Sequence, residues 1–203
     1  MPIETRFVKL GGFTLDQVTS MVITGSRDSG KTALSYGFLL ESKKPVYVYK
    51  YPNPPLIKRI GFRPMYSIEE LEDLVDSVIW IDEPQLHFPV DQKKANSNLA
   101  KLLSIAMHKD LTMLFTTSDT RWVTRGLESY IDAWAIKDIE ASLAKQGSLI
   151  KRIITRNCIV SSDDFKLPQN KYLFYARKFP ALEGIHKFML PSFWSTEYRK
   201  PYR

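Results

Sequence analysis

Eight consecutive residues, Gly25-Ser26-Arg27-Asp28-Ser29-Gly30-Lys31-Thr32, fit the pattern G-x-x-x-x-G-K-[ST]. The chemistry suited to that order is phosphate binding. Glycines let the backbone wrap an anion with its N–H groups, and a helix that starts at the loop turns its positive end toward the same charge. Lys31 would reach the β- and γ-phosphates of a nucleotide, and the Thr32 hydroxyl would ligate Mg²⁺. About fifty residues on, Val78-Ile79-Trp80-Ile81-Asp82-Glu83 ends an apolar run in two acids. Asp82 suits a metal held through water, and Glu83 suits a base that orients and deprotonates an attacking water. The segment 111–117 ends at Thr116-Thr117-Ser118-Asp119. In nucleotide hydrolases with a glutamate base, this next strand inserts between the acid-bearing strand and the phosphate-loop strand. Its terminal polar residue then contacts the γ-phosphate or the attacking water. Thr117 and Ser118 are the candidates, against the plainer reading of a serine/threonine turn.

These side chains need elements to hold them. VTSMVITG (18–25) reads as a buried strand running into a glycine turn, and KTALSYGFLLE (31–41) as a helix with Leu34, Phe38 and Leu39 at helical spacing. KPVYVYKY (44–51) is a β-branched and aromatic strand that stops at PNPP. SIEELEDLVD (67–76), with a serine cap and acids in its first turn, predicts a helix. SVIWID (77–82) and LTMLFTT (111–117) predict buried strands, and NSNLAKLLSIAM (96–107) predicts an amphipathic helix between them. Strands alternating with helices imply an α/β fold, a mostly parallel sheet covered on both faces. Beyond residue 118 the rhythm changes. GLESYIDAWAIKD suits a helix and then a strand. SLIKRIITRNCIVS, KYLFYARKF and IHKFML suggest an antiparallel, β-rich extension of the same sheet. The reading is one domain over 1–203, with a core at about 18–140 and an elaboration at about 145–203.

The chain has 203 residues, 44% hydrophobic, 12% aromatic and 25% charged, which suits a folded domain and excludes wholesale disorder. Its one cysteine, Cys158, forms no internal disulfide and no cysteine-cluster zinc site. No apolar run reaches the roughly 18 residues of a membrane span, and MPIETRFVKLGG lacks a signal pattern. The expectation is a protein neither secreted nor membrane-spanning. Net charge is +7, unevenly spread: residues 1–144 sum to −1 and residues 145–203 to +8. Such asymmetry favours a polyanionic partner over a merely solvated basic face. Aromatic and basic residues interleave in the tail, from Lys171-Tyr172 to Tyr202-Arg203. That pattern suits either nucleic-acid contact or a core face opposite a basic face. The histidines at 87, 108 and 186 are too scattered for a metal site.

Taken in order, GSRDSGKT, VIWIDEPQLHFP and a helix leading into MHKDLTMLFTTSD resemble the FtsK–HerA superfamily of ring-forming, DNA-pumping ATPases. Within it, the chain resembles viral genome-packaging ATPases. The resemblance covers about residues 18–140. It implies a RecA-like P-loop ATPase that uses ATP and Mg²⁺ and assembles as a homo-oligomeric ring, a pentamer or hexamer. It further implies sequence-independent grip on double-stranded DNA, a capsid or portal-vertex partner, and a place in the host cytoplasm or on the virion. An arginine from a neighbouring subunit usually completes such sites; Arg121, Arg125 and Arg27 are the candidates. The chain departs from the family where Gln or Asn usually ends the third strand and where Arg often precedes it; here stand Thr117-Ser118 and His108-Lys109. Three other readings stay open, one of them a binding module whose phosphate loop holds nucleotide only as a structural element. A nucleotide or small-molecule kinase needs no water-activating base, so Glu83 counts against it. A zona-occludens-toxin-like phage-assembly ATPase shares the Asp-Glu-Pro run but usually carries a membrane span.

Overall fold

The computed structural model describes residues 10, 12–88, 93–119, 129–139, 167–191 and 193, with only the backbone for 93–98. Six strands run parallel. They are β1 (Ser20–Thr24), β2 (Val46–Tyr49), β3 (Arg63–Met65), β4 (Val78–Asp82), β5 (Thr112–Thr117) and β6 (Ala133–Ile136). The strands β7 (Lys171–Ala176) and β8 (Gly184–Lys187) extend the sheet, each antiparallel to its predecessor. The order is β3-β2-β4-β5-β1-β6-β7-β8. Strand β5 therefore lies between β4 and β1, as the three motif segments require.

Helices cover both faces. On one face α1 (Lys31–Glu41) and α2 (Pro54–Lys58) bury Leu34, Tyr36, Phe38, Leu56 and Ile57 against Val48, Trp80 and Leu114. On the other, α3 (Lys93–His108) sets Leu99, Leu102, Leu103 and Ala106 against Ile79, Ile81, Met113 and Phe115. The alternation along each strand sends successive side chains to opposite faces, which is why both faces are apolar. Among the described residues, no helix is long and apolar enough to cross a membrane.

Three expectations change. The segment 67–76 forms only a single 3-10 turn, Glu69–Asp73, rather than a helix. Leu71 is its only buried residue, and Val75 is 66% exposed, so no apolar stripe rewards a longer helix. PNPP ends β2 as expected but also starts α2: Asn53 accepts the Leu56 N–H, and proline stands in the first turn. Arg63–Met65 adds an unexpected edge strand, where Pro64 is tolerated because an edge leaves one side unpaired. The segment SLIKRIITRNCIVS, with Cys158, lies outside the described residues.

The aromatic tail residues that are described belong to the core. Tyr172 and Phe174 are buried, Phe179 and Phe193 pack against the same cluster, and Phe193 meets Tyr36 edge-on at 5.6 Å. Their neighbours Arg177, Lys178 and Lys187 are exposed. Here the rings hold the fold, and the cations lie at the surface, where Lys178 pairs with Asp132 at 3.2 Å.

Candidate active site

The strand ends are in line. Register pairs Thr24 with Thr117 and Asp82 with Thr116, which brings the carboxyl ends of β1, β4 and β5 to one edge of the sheet. That edge is where parallel α/β sheets bind ligands. The loop from Gly25 to Gly30 lies there, followed directly by α1.

Two glycines of the loop have steric reasons. A Cβ on Gly25 would stand 2.8 Å from Ser29 Oγ and 2.9 Å from Lys137 Cβ. Gly30 caps α1 in the left-handed region, with φ of 92°, a conformation that side chains disfavour. No side chain caps α1 and no acid stands in its first turn, so its leading N–H groups face outward without an internal anion. Ser29 Oγ is buried and has no hydrogen-bond partner among the described residues. An uncapped helix start and an orphaned hydroxyl beside a glycine cradle together fit a phosphate group.

Lys31 is only 7% exposed, and its ammonium donates to the Ser26 carbonyl at 2.7 Å. Burial lowers its proton affinity, opposed by the charges of Glu83, Asp82, Asp28 and Asp138. Thr32 follows on α1 and is half-buried; Asp82, at 2% exposure, ends β4. Asp82 and Trp80 share the α1 face of the sheet. Arg27 and Asp28 are exposed on the loop, and Ser26 Oγ donates to Asp138, just beyond β6.

Glu83 adopts the left-handed region, with φ of 48°, so the chain turns sharply as it leaves β4. Its N–H donates to the Thr116 carbonyl at 2.7 Å. Its carboxylate accepts from the Ser118 N–H and hydroxyl, each at 3.3 Å, and from the Gln85 side-chain amide. Thr117 lies on the opposite face from Thr116, and its hydroxyl engages Gln85 Oε1 at 2.9 Å and the Asp119 carbonyl at 2.7 Å. Of the two expected strand-end residues, then, Ser118 touches the acid directly and Thr117 touches Gln85. Arg121 and Arg125 lie outside the described residues.

Sequence reasoning passed over several residues that the fold brings here. A buried polar chain runs from Trp80 Nε1 to Thr116 Oγ1 (2.8 Å), to Ser35 Oγ (2.6 Å), to the Lys31 carbonyl (3.1 Å). It joins β4, β5 and α1 beneath the loop. Gln85 reads in sequence as part of the segment after the two acids. Lys137 reads as an ordinary cation, yet it is 2% exposed. Its ammonium donates to the Gln169 and Lys171 carbonyls at 2.5 Å each and sits 4.4 Å from the Phe188 ring centre. Burial brings its pKa down to about 7. Nothing local in the sequence signals that environment, because its partners lie 32 residues or more away.

No protein-family model matches the chain. No curated protein matches it in sequence. Solved structures do share its fold. The DNA-packaging ATPase from Sulfolobus turreted icosahedral virus is 15% identical with a TM-score of 0.58, over 84% of this chain and 97% of that one. The genome-packaging NTPase of Sulfolobus turreted icosahedral virus 2, solved with AMP, is 18% identical with a TM-score of 0.60, over 84% and 97%. The pCW3 conjugation coupling protein TcpA, solved with ATPγS, is 11% identical with a TM-score of 0.59, over 93% and 67%. At these identities the likeness is one of fold. It includes viral packaging ATPases, the group that the order of the motifs resembles.

Proposed function

We propose that the protein is an ATP-hydrolysing motor that moves double-stranded DNA into a viral capsid. The single observation that carries this reading is the convergence of Lys31, Asp82 and Glu83 at the sheet edge beneath an uncapped α1. Likeness of fold to packaging ATPases supports the choice of substrate.

The residues divide the work as follows. Backbone N–H groups of 25–32 cradle the β- and γ-phosphates of ATP, and Lys31 leaves the Ser26 carbonyl to meet them. Because burial disfavours its charge, an arriving triphosphate strengthens the ammonium form of Lys31. Thr32 and Asp82 would hold Mg²⁺, which when bound neutralises charge on the phosphates. Glu83 takes a proton from the water that attacks the γ-phosphorus, while Ser118 and Gln85 fix the direction of its carboxylate. The products are ADP and inorganic phosphate. An arginine from a neighbouring subunit, with Arg121, Arg125 and Arg27 as candidates, would stabilise charge on the transferring group. We assign a homo-oligomeric ring, a capsid or portal-vertex partner, and action in the host cytoplasm or at the virion. Hydrolysis belongs to about 18–140, and grip on the DNA backbone to the basic residues of about 145–203.

The test is the ATPase rate with and without long double-stranded DNA across a salt series. The motor predicts stimulation at low salt that fades as salt rises, because phosphate contacts release counterions. A rate indifferent to DNA at low salt would argue against a translocase. Phosphate transfer to a small acceptor would instead identify a kinase.

A further inference from the structure

Gln85 stands two residues beyond Glu83, half-buried, on the short 3-10 turn Pro84–Leu86. Its amide makes two bonds of opposite polarity. Nε2 donates to the Glu83 carboxylate, and Oε1 accepts from the Thr117 hydroxyl at 2.9 Å. That orientation is forced by chemistry: an ionised carboxylate only accepts, so the amide nitrogen must face it and the oxygen is left for a donor. Thr117 lends one hydroxyl proton, shared with the Asp119 carbonyl, and accepts the Asp119 N–H at 3.0 Å. Ser118, the next residue, donates to the same Glu83 oxygen that Gln85 bonds. The end of β5 and the base of β4 are thus one hydrogen-bonded unit, and Gln85 is its only member from outside the two strand ends among the described residues.

We propose that Gln85 is a positioning residue for the hydrolytic step, relaying the end of β5 to the base. It aims the Glu83 carboxylate, and Thr117 acts through it rather than on the phosphate. The proposal rests on the hydrolase reading above. Only a primary amide of this reach serves both neighbours. A leucine fills the space and offers neither bond. A glutamate in its place would set a second carboxylate against Glu83, and the two could not both ionise without mutual cost.

The test measures ATP turnover and binding of a fluorescent ATP analogue for the wild type, Gln85→Leu, Gln85→Glu, Thr117→Val and the double variant Gln85→Leu/Thr117→Val. Gln85→Leu should keep analogue affinity while kcat falls about a hundredfold, the scale of a misaimed reacting group. KM for ATP should stay near the wild-type value while kcat falls, and Gln85→Glu, which offers Glu83 no amide donor, should lose turnover as well. A purely structural role would instead lower analogue affinity along with kcat. Adding Thr117→Val to Gln85→Leu should cost almost nothing more, because the route through the amide is already cut. Unchanged kcat in Gln85→Leu, an analogue affinity that falls in step with kcat, or losses that simply add would each overturn the relay. In those cases an active wild type leaves the hydrolase reading standing. A wild type without ATPase activity overturns that reading, and the relay falls with it.

Discussion

The charge of Glu83 opposes the effect of burial on Lys31, yet its side chain is held by the end of β5 rather than by the phosphate loop. That placement suits a base better than a phosphate ligand. Replacing it with Gln removes proton acceptance but keeps the shape. Glu83→Gln should therefore retain nucleotide binding and lose turnover by about two to four orders of magnitude, measured by analogue binding beside phosphate release. Near-normal hydrolysis would reassign the base. Gly25→Ala tests the cradle by sterics alone. Its new methyl meets Ser29 Oγ at 2.8 Å and Lys137 Cβ at 2.9 Å. Stability should drop by about 1–3 kcal/mol, and nucleotide affinity should fall with it. Urea unfolding and analogue binding read the two effects separately. At this scale the sequence was most legible where the chemistry is local. A phosphate loop is contiguous, so its spacing survives in one dimension. Gln85 and Ser118 are also close in space to Glu83, but the bond from Ser118 crosses 35 positions and leaves no periodic trace.

The elements hold these groups through buried polar chains. Trp80, Thr116 and Ser35 tie β4, β5 and α1 by hydrogen bonds with one consistent direction, ending on the Lys31 carbonyl. Thr116→Val keeps the volume but strands the indole N–H and removes the donor to the Ser35 oxygen, which should cost about 1–3 kcal/mol in urea unfolding. A neutral result would mean that both groups find other partners. Lys137 does the corresponding work on the far side of the loop, joining the end of β6 to the start of β7 and to Phe188. Its folded pKa of about 7 lies below the ordinary 10.5. Between those pH values the unfolded chain carries the proton and the folded chain does not, so its contribution to stability rises with pH in that window and is flat below it. In Lys137→Met that slope, at most about 1.4 kcal/mol per pH unit, should vanish. Parallel stability curves from about pH 7 to 9 for the two proteins would contradict this. The strands were legible because apolar runs bounded by turns are strong signals. The 67–76 helix was not, since the turn starts at Ile68 without a side-chain cap and the packing that stabilises short helices is missing.

Across the whole molecule, a near-neutral first part and a tail of +8 now have a structural relation. The sheet passes without a break from β1 through β6 into β7 and β8, so the described part of the tail, with Lys171, Arg177, Lys178 and Lys187, is joined by strand pairing to the strand beside β1. Lys137 and Asp138 sit at that junction, one bonded to the hairpin and the other to Ser26 of the loop. Among the described residues, these bonds connect the loop to β7 and β8 directly through the sheet. The proposed ring adds a further dependence: an arginine given to a neighbour would make each site depend on another chain. The expected consequence is measurable by mixing. Glu83→Gln subunits, able to bind ATP but not to hydrolyse it, would be blended with wild type at constant total protein. If sites are completed across a ring, activity should fall faster than the wild-type fraction, because each inactive subunit also stalls its neighbours. A strictly proportional fall would mean that the subunits hydrolyse alone, and the shared-arginine ring would have to be abandoned while the single-chain hydrolase remained.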